Sequence, residues 1–478
     1  MRTSYTADQI RGAEQALMAT LPEGTLMQRA AHGLAAVCAG MLGRVYGSRV
    51  LLLVGSGDNG GDALYAGALL ARRGARVSAV LAGAKAHEAG LAAFLLAGGR
   101  VAPDAGEADL VVDGLVGIGG TGALREPYAG LVERAGGPVV AVDVPSGVDA
   151  STGQVAGAAV TAQVTVTVGA LKSGLLVDPG ASYAGHVELV DIGLGPYLPD
   201  PDLAALTDGD VAALLPSPGP ESDKYRRGVV GIAAGSQVYT GAAVLAVGGA
   251  LRAGAGMVRY AGPSAPVAQV RNHWPEAVIT ELDRPSLAGV GRVQAWVLGP
   301  GMGTDDWAHE LAAQVLSSDV PVLIDADGLS LVARDHSLLR RSAPVVLTPH
   351  AGELSRLLRV ERERIEASRL EFVRRAAAEL NATVLLKGST TVIAEADRPV
   401  RVNVTGSSWL ATGGTGDVLS GVAGALLAGG LGGYDAASCA AYLHGLAGTL
   451  AADGAPLVSA DVATAIPEAM RSLRRARG

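Results

Sequence analysis

The chain has 478 residues, 49% of them hydrophobic, and a formal net charge of −8. That is apolar material for about two larger or three smaller α/β domains, and an acidic balance without long charge blocks excludes a general nucleic-acid binder. Two cysteines, Cys38 and Cys439, allow neither a disulfide framework nor a cysteine-based zinc site, which suits a reducing cytoplasm.

The opening MRTSYTADQIRGAEQ is mixed and polar, unlike a signal peptide. Helical patterns cover 6–18 and 25–42. Short apolar runs then alternate with helical patterns. Strands are predicted at 50–55, 77–82, 108–113, 138–143, 164–169 and 186–191, which implies a parallel sheet covered on both faces. The stretch 193–210, GLGPYLPDPDLAALTDGD, reads as a linker. A second series follows, with strands at 229–234, 257–261, 277–281, 295–299, 320–325, 345–348, 383–387 and 390–395. Its helices are predicted at 242–253, 306–316, 352–358, 361–380, 415–428 and 435–452. The stretch 228–251 lacks charges and is long enough to span a bilayer. Its internal Gly-Ser-Gln and Tyr-Thr-Gly turns divide it instead into strand, loop and helix. Aromatics are scarce at 4% and glycines number 67, so the cores are expected to pack Ala, Val and Leu around tight strand-to-helix turns. The reading is two α/β domains, 1–205 and 206–478.

In open α/β sheets, ligands bind beyond the carboxyl ends of the strands. The first strand delivers GSGDNGGD there. The third delivers Asp113, in VVDGLVGIGGTGALREP, and the fourth delivers Asp143 and Ser146, in AVDVPSGVDASTG. Helix-opening amides after Asn59-Gly60-Gly61 and the turn 117–122 suit phosphates. Carboxylates with Asn and Ser oxygens suit a hard cation, ribose hydroxyls or an amide. One pocket would take a dinucleotide and a metal ion together, although a Gly-rich turn alone is equally often tight packing. Asp104 and Asp149 read as turn residues. These motifs, with TADQIRGAEQAL and LMQRAAHG, resemble the YjeF N-terminal family, the NAD(P)HX epimerases, over roughly residues 1–200. The resemblance implies a Rossmann-like three-layer fold, interconversion of the R and S epimers at C6 of hydrated NADH or NADPH, and a potassium ion. It implies substrate contacts from Asp58, Asn59, Gly60, Gly61, Asp62, Gly117, Ile118, Gly119, Gly120, Thr121, Gly122, Ala123, Tyr128 and Asp143. Asn59, Asp113 and Ser146 would hold potassium, and Asp143 would be the acid/base. The family usually reads Asn-Asn-Gly-Gly-Asp-Gly. Here Asp58 replaces the first Asn, which adds negative charge near a nucleotide, and Ala63 replaces the last Gly.

In the second half, ATGGTGDVLSGVAGALLAGG (411–430) opens a helix on Gly413-Gly414-Thr415-Gly416-Asp417. Glycines let backbone amides approach a phosphate, the helix dipole favours its charge, and Asp417 would stand beside it to take a hydroxyl proton. The competing reading is a buried, glycine-packed helix with a capping Asp. GAAVLAVGGALRAGAG, GPGMG, VLIDADGL, LTPHAGEL and KGSTTVI accompany it. Together they resemble the ribokinase-like superfamily, in its YjeF C-terminal branch of NAD(P)HX dehydratases, over roughly 207–475. By that resemblance Lys387, Gly388, Ser389, Thr390, Thr391 and Gly416 contact an adenine nucleotide. Ala242, Gly303, His350 and Asp417 contact the hydrated nicotinamide, and Asp417 matches the catalytic aspartate of the kinases. Mg²⁺ is implied, with Asp325, Asp327 and Glu353 all open as ligands, and ADP is implied as the nucleotide of prokaryotic two-domain members. His350 is favoured for function and His444 for the core. The run 359–364 (RVERER) reads as a solvated helix. Lys224, Arg226 and Arg227 would meet either nucleotide phosphate or solvent.

The expected protein is a bifunctional hydrate-repair enzyme whose partners are hydrated NADH or NADPH and ADP. It is expected to be cytoplasmic and homo-oligomeric, with no nucleic acid or membrane partner. The alternative is a ribokinase-like small-molecule kinase of the hydroxymethylpyrimidine type with a non-catalytic nucleotide-binding N-terminal module.

Overall fold

The run VLLLV at 50–54 has no polar alternation because both its faces are covered. It forms the strand Arg49–Val54, in which every residue after Arg49 is buried. The computed structural model describes residues 1–83, 85–134 and 136–477. Its contacts divide the chain into two compact units, Thr3–Leu203 and Ala204 onward with Met1–Arg2.

The first unit carries a wholly parallel sheet. Side by side, its strands are Arg100–Val101, Arg76–Leu81, Arg49–Val54, Leu110–Gly114, Val139–Val142, Val164–Val168 and His186–Val190. In chain order that is 3-2-1-4-5-6-7, so the winding direction reverses between Arg49–Val54 and Leu110–Gly114. A crevice opens beyond the carboxyl ends of those two strands. The helix Asp58–Arg72 starts there. A separate parallel pair, Arg2–Tyr5 with Leu171–Lys172, brings Tyr5 opposite Lys172.

The second unit repeats the scheme. Its strands run Val278–Glu281, Met257–Gly262, Val229–Ala233, Ala295–Leu298, Val322–Ile324, Val345–Leu347, Thr383–Leu386, Thr391–Ala394 and Val400–Asn403. They are parallel through Thr383–Leu386, and the last two are antiparallel. Again the order reverses, between Val229–Ala233 and Ala295–Leu298. The stretch 228–251 is a strand followed by the helix Thr240–Arg252, and among the described residues no helix is long and apolar enough to cross a membrane.

The helix Thr415–Ala428 is buried along nearly its whole length and lies against Thr240–Arg252. Small residues permit that approach. A Cβ at Gly421 would sit 2.0 Å from the Ala246 carbonyl oxygen. Gly421→Ala is therefore expected to force the two helices apart and cost about 1–3 kcal/mol, read as a lowered unfolding midpoint in denaturant.

Three features differ from the sequence reading. The segment 193–210 is not a loose linker. It holds the short 3₁₀ turn Gly195–Tyr197, the buried strand Leu203–Ala205 and the start of the helix Asp208–Leu214, capped reciprocally by Thr207 and Asp210. Its prolines fall outside the strand and helix, so they do not break them. The helix expected at 361–380 divides into Arg362–Ala367 and Arg369–Leu380, because Ser368 leaves the helical region at φ −136°, ψ 51°. The helices Ser264–His273, Asp327–Arg334 and Ser459–Arg477 and the strands Arg100–Val101 and Val400–Asn403 were not foreseen. Pro266 and Pro467 hid two of those helices.

Candidate active sites

The helix Asp58–Arg72 begins on Gly57 with no side-chain cap, whereas Ala7–Met18 and Ala351–Leu358 both carry complete capping boxes. Its first-turn amides are left for something other than a cap. The loop Gly117–Gly122 closes on this turn. A Cβ at Gly117 would lie 2.2 Å from Asn59 Oδ1, so a side chain there would displace the Asn59 amide. Asn59 Nδ2 donates to the Val142 carbonyl at 2.7 Å. One side chain thus ties together the ends of three neighbouring strands.

Asp113 is fully buried and accepts from the Ser146 N–H at 2.8 Å, the Ser146 hydroxyl at 2.7 Å and the Leu115 N–H at 3.3 Å. Burial pushes its carboxyl up to about 6, against the pull of those hydrogen bonds. Asn59, Asp113 and Ser146 offer oxygen donors with a single formal charge, a set that fits a monovalent hard cation and not zinc.

Two cavities open over this edge. One of about 490 Å³ is lined by Arg11, Glu14, Asp58, Asn59, Gly117, Ile118, Gly119 and Tyr128. The other, about 450 Å³, is lined by Gly120, Thr121, Gly122, Ala123, Tyr128 and Asp149. Val116 and Tyr128 border both. Gly60 and Gly61, in the first turn of the same helix, are buried. Asp149 also accepts from the Ser151 and Thr152 amides, both at 2.9 Å, as a turn residue should.

Asp143 sits at φ +69°, a conformation a residue with a Cβ adopts only under constraint. It is almost buried, and its Oδ1 accepts from Lys172 Nζ and from the Val168 N–H. Lys172, 1% exposed, also donates to the Val168 carbonyl at 2.7 Å. Sequence reading missed Lys172. The one available signal was a lone charge inside the apolar run VTVTVGALKSGLLV.

In the second unit, the helix Thr415–Ala428 likewise starts without a side-chain cap, on Gly414 at φ +90°. The turn before it is held from behind. Ser459 Oγ donates to Gly413 O, Thr415 Oγ1 to Leu410 O, and His444 Nε2 to Thr415 O at 2.9 Å. His444 is therefore a core residue, and burial lowers its imidazole to about 4.

Lys387 is the hub of this site. Its ammonium lies 2.7 Å from Asp325 Oδ1 and 3.7 Å from Glu353 Oε2. Burial works against its charge, but Asp325, Glu353 and Asp417 together keep it above the usual lysine range. The other Asp325 oxygen accepts from Ser420 Oγ at 2.8 Å. Gly416 adjoins both Lys387 Nζ and Asp325. Burial first, then repulsion from Asp325 and Asp327, raises the Asp417 carboxyl to about 7, with Lys387 opposing. Asp327 Oδ2 accepts from Gly303 N–H at 2.9 Å, and Ala242 packs against Gly301. Ala326, between the two aspartates, is strained at φ +51°.

His350 has a structural duty as well as an exposed edge. Its Nδ1 accepts from the Gly352 and Glu353 amides at 3.0 and 3.3 Å, and Glu353 accepts from the His350 N–H at 2.8 Å. Nδ1 is thus unprotonated and Nε2 carries the hydrogen. Burial, reinforced by Lys387 and Arg356 against Glu353, lowers its basicity.

Arg369 was also missed. Its Nη2 lies within 3.0–3.2 Å of three carbonyl oxygens, those of Leu386, Lys387 and Thr390. This almost buried guanidinium gathers the turn of Lys387, Gly388, Ser389, Thr390 and Thr391 from behind. It was one arginine among many in ERERIEASRLEFVRRAAAEL, and only the break at Ser368 turns it inward. Lys224, Arg226 and Arg227 are exposed. Arg227 donates to Gly254 O at 3.0 Å, and Asp223 collects the Arg226 backbone N–H.

A wholly parallel sheet and a mostly parallel one, each reversing its strand order once and each packed with an uncapped, glycine-opened helix, define a pair of α/β nucleotide-handling domains, the second ribokinase-like in layout. Comparisons with known proteins make the class specific. Residues 23–174 match the model of the YjeF-related protein N-terminus, and residues 230–469 match that of NAD(P)H-hydrate dehydratase. The chain belongs to the family of bifunctional NAD(P)H-hydrate repair enzymes. It is 48% identical to the bifunctional NAD(P)H-hydrate repair enzyme Nnr of Mycobacterium leprae (strain TN), over 100% of this chain and 99% of that one. It is 50% identical to the enzyme of the same name from Mycobacterium tuberculosis (strain ATCC 25618 / H37Rv), over 92% of each. Among solved structures it is similar to the ADP/ATP-dependent NAD(P)H-hydrate dehydratase of Bacillus subtilis co-crystallized with ATP/Mg²⁺. That match has 31% identity and a TM-score of 0.52, covering 56% of this chain and 98% of that one. Relatives that carry both halves under one name do not favour the small-molecule-kinase alternative.

Proposed function

We propose that this chain restores hydrated NADH and NADPH in two steps, epimerising the R form to S in its first unit and dehydrating the S form at the expense of ADP in its second. The observation that carries the second step is the Lys387–Asp325–Ser420 network. It joins the turn 387–391 to Gly416 and Asp417, so a nucleotide on one side and a hydroxyl on the other would meet at the uncapped start of Thr415–Ala428. Hydroxide is a poor leaving group from C6. Asp417 takes the hydroxyl proton as its oxygen attacks the terminal phosphorus, and the bond from phosphorus to the leaving nucleotide breaks. Phosphate then leaves C6 as a proton leaves C5, restoring the ring double bond. His350, its basicity lowered and its Nε2 3.6 Å from Glu353 Oε1, would contact the substrate without competing for the transferred proton.

Mg²⁺ would neutralise the charge that develops on the phosphates. Asp325, Asp327 and Glu353 each already accept hydrogen bonds within the protein. The ion would rest chiefly on phosphate oxygens and water, with Asp327 the nearest carboxylate to Gly303. In the first unit Asn59, Asp113 and Ser146 would hold potassium, supplying positive charge beside the substrate phosphates. Asp143 is the acid/base there.

Chemically hydrated NADH with ADP and Mg²⁺ should regain the absorbance of reduced nicotinamide, and omitting ADP should abolish the gain. A chain that phosphorylates alcohols without restoring that absorbance would refute the reading. Arg369→Met tests the nucleotide turn. Three carbonyls lose the two N–H groups of Nη2 that they share, so the KM for ADP should rise at least about tenfold while epimerisation is unchanged.

A further inference from the structure

Ionisable side chains crowd the crevice of the first unit. Asp62 feels Asp143, Asp58, Glu14 and Lys172, and Glu14 feels Lys172, Asp143, Asp58 and Arg11. One ammonium thus serves a group of carboxyls, and its hydrogen bonds show which. Lys172 Nζ donates to Asp143, not to Asp62. Asp62 Oδ1 is sealed from solvent and has no hydrogen-bond partner among the described residues. Asp62 lies one turn after Asp58, and Asp58 lines the cavity of about 490 Å³. An unpartnered carboxylate in such a place costs far more than a neutral carboxylic acid. Burial, then repulsion from Asp143, Asp58 and Glu14, holds its carboxyl well above the usual range.

We propose that Asp62 is the general acid of the epimerisation, working opposite Asp143 as the base, and that Lys172 is the positioning residue that holds Asp143 and leaves Asp62 Oδ1 without a partner among the described residues. This rests on the epimerase reading of the first unit. C6 of the hydrated ring bears both the hydroxyl and the ring nitrogen N1. Asp143 takes the hydroxyl proton, the oxygen's electron pair forms C6=O, and the C6–N1 bond breaks. Its electron pair goes to N1, which takes the Asp62 proton. The aldehyde turns about C5–C6 and N1 closes on its other face. N1 returns its proton to Asp62, and the new hydroxyl takes the proton held by Asp143. No atom or electron is gained or lost.

The test uses the full chain with separated R and S epimers of hydrated NADH, ADP and Mg²⁺, corrected for spontaneous epimerisation. Asp62→Asn should lower kcat for the R epimer by about 10²-fold or more, leave its KM and the S-epimer rate near wild type, and leave the melting temperature unchanged or higher, because Asn copies a neutral acid. The alkaline limb of the R-epimer pH profile should vanish in this variant. Lys172→Met should lower the melting temperature, because the buried Asp143 carboxyl loses its partner, and at low temperature it should lower kcat for the R epimer while leaving its KM near wild type. The proposal is overturned if Asp62→Asn repairs the R epimer within about threefold of wild type, or if it melts as early as Lys172→Met. A wild-type chain that does not speed R-epimer repair at all would instead overturn the epimerase reading itself.

Discussion

Asp417→Asn is expected to slow ADP-driven dehydration of the S epimer by about 10²–10⁴-fold, with epimerisation of the R form intact. The amide keeps the shape of the side chain but cannot accept the hydroxyl proton. Because the Asp417 carboxyl stands at about 7, the wild-type kcat/KM should climb through that pH and level off above it, and the variant should lack the climb. Stability should move the opposite way. The folded state holds this proton more tightly than the unfolded chain, whose carboxyl titrates near 3.8. The contribution of Asp417 to stability is therefore full below that value and is lost as pH rises toward about 7, and Asp417→Asn should remove this decline. Initial rates across pH 5–9 and melts over the same range, each on wild type and variant, check both halves. A flat wild-type rate profile would show that this carboxyl is not the base.

Asp143→Asn should have a comparable effect on the other activity and a quite different one on the fold. Loss of the base should cut R-epimer conversion by about 10²–10⁴-fold. The substitution also leaves the Lys172 ammonium almost wholly buried beside a neutral amide. Removing one member of a buried ion pair costs about 3–5 kcal/mol, so the first unit should melt early. Asp417→Asn removes a carboxyl from a site already crowded with Asp325 and Asp327, and should not destabilise the second unit. Assays at low temperature, with S-epimer dehydration measured on the same sample, separate lost chemistry from lost structure. Full R-epimer repair by Asp143→Asn would remove this residue from the mechanism.

Much of the architecture was legible in advance, for a local reason. A strand buried on both faces must be apolar throughout, so runs such as VLLLV declare themselves, and the glycines at 55–61 and 413–416 mark where such strands and helices meet. Short or proline-bearing elements were not legible. Val400–Asn403 is four residues long, and Leu203–Ala205 three, in a stretch whose prolines resemble those of a linker. The break at Ser368 was hidden for another reason: the apolar spacing on either side of it continues a helical period.

The sequence by itself determined the alternating α/β order, the strand ends and helix starts that carry Asp58, Asp113, Asp143 and Asp417, and membership of a family with both halves. Only the tertiary structure decided how the charges are shared. Lys172 comes to Asp143 from 29 positions away, Arg369 to the carbonyls behind Lys387 from 18, and Asp62 is left with an oxygen that has no partner among the described residues. Parallel strands bring together chain ends that are distant in sequence. The charge a buried group can carry depends on which neighbour arrives there and how much water is excluded, and neither quantity is written in the local pattern.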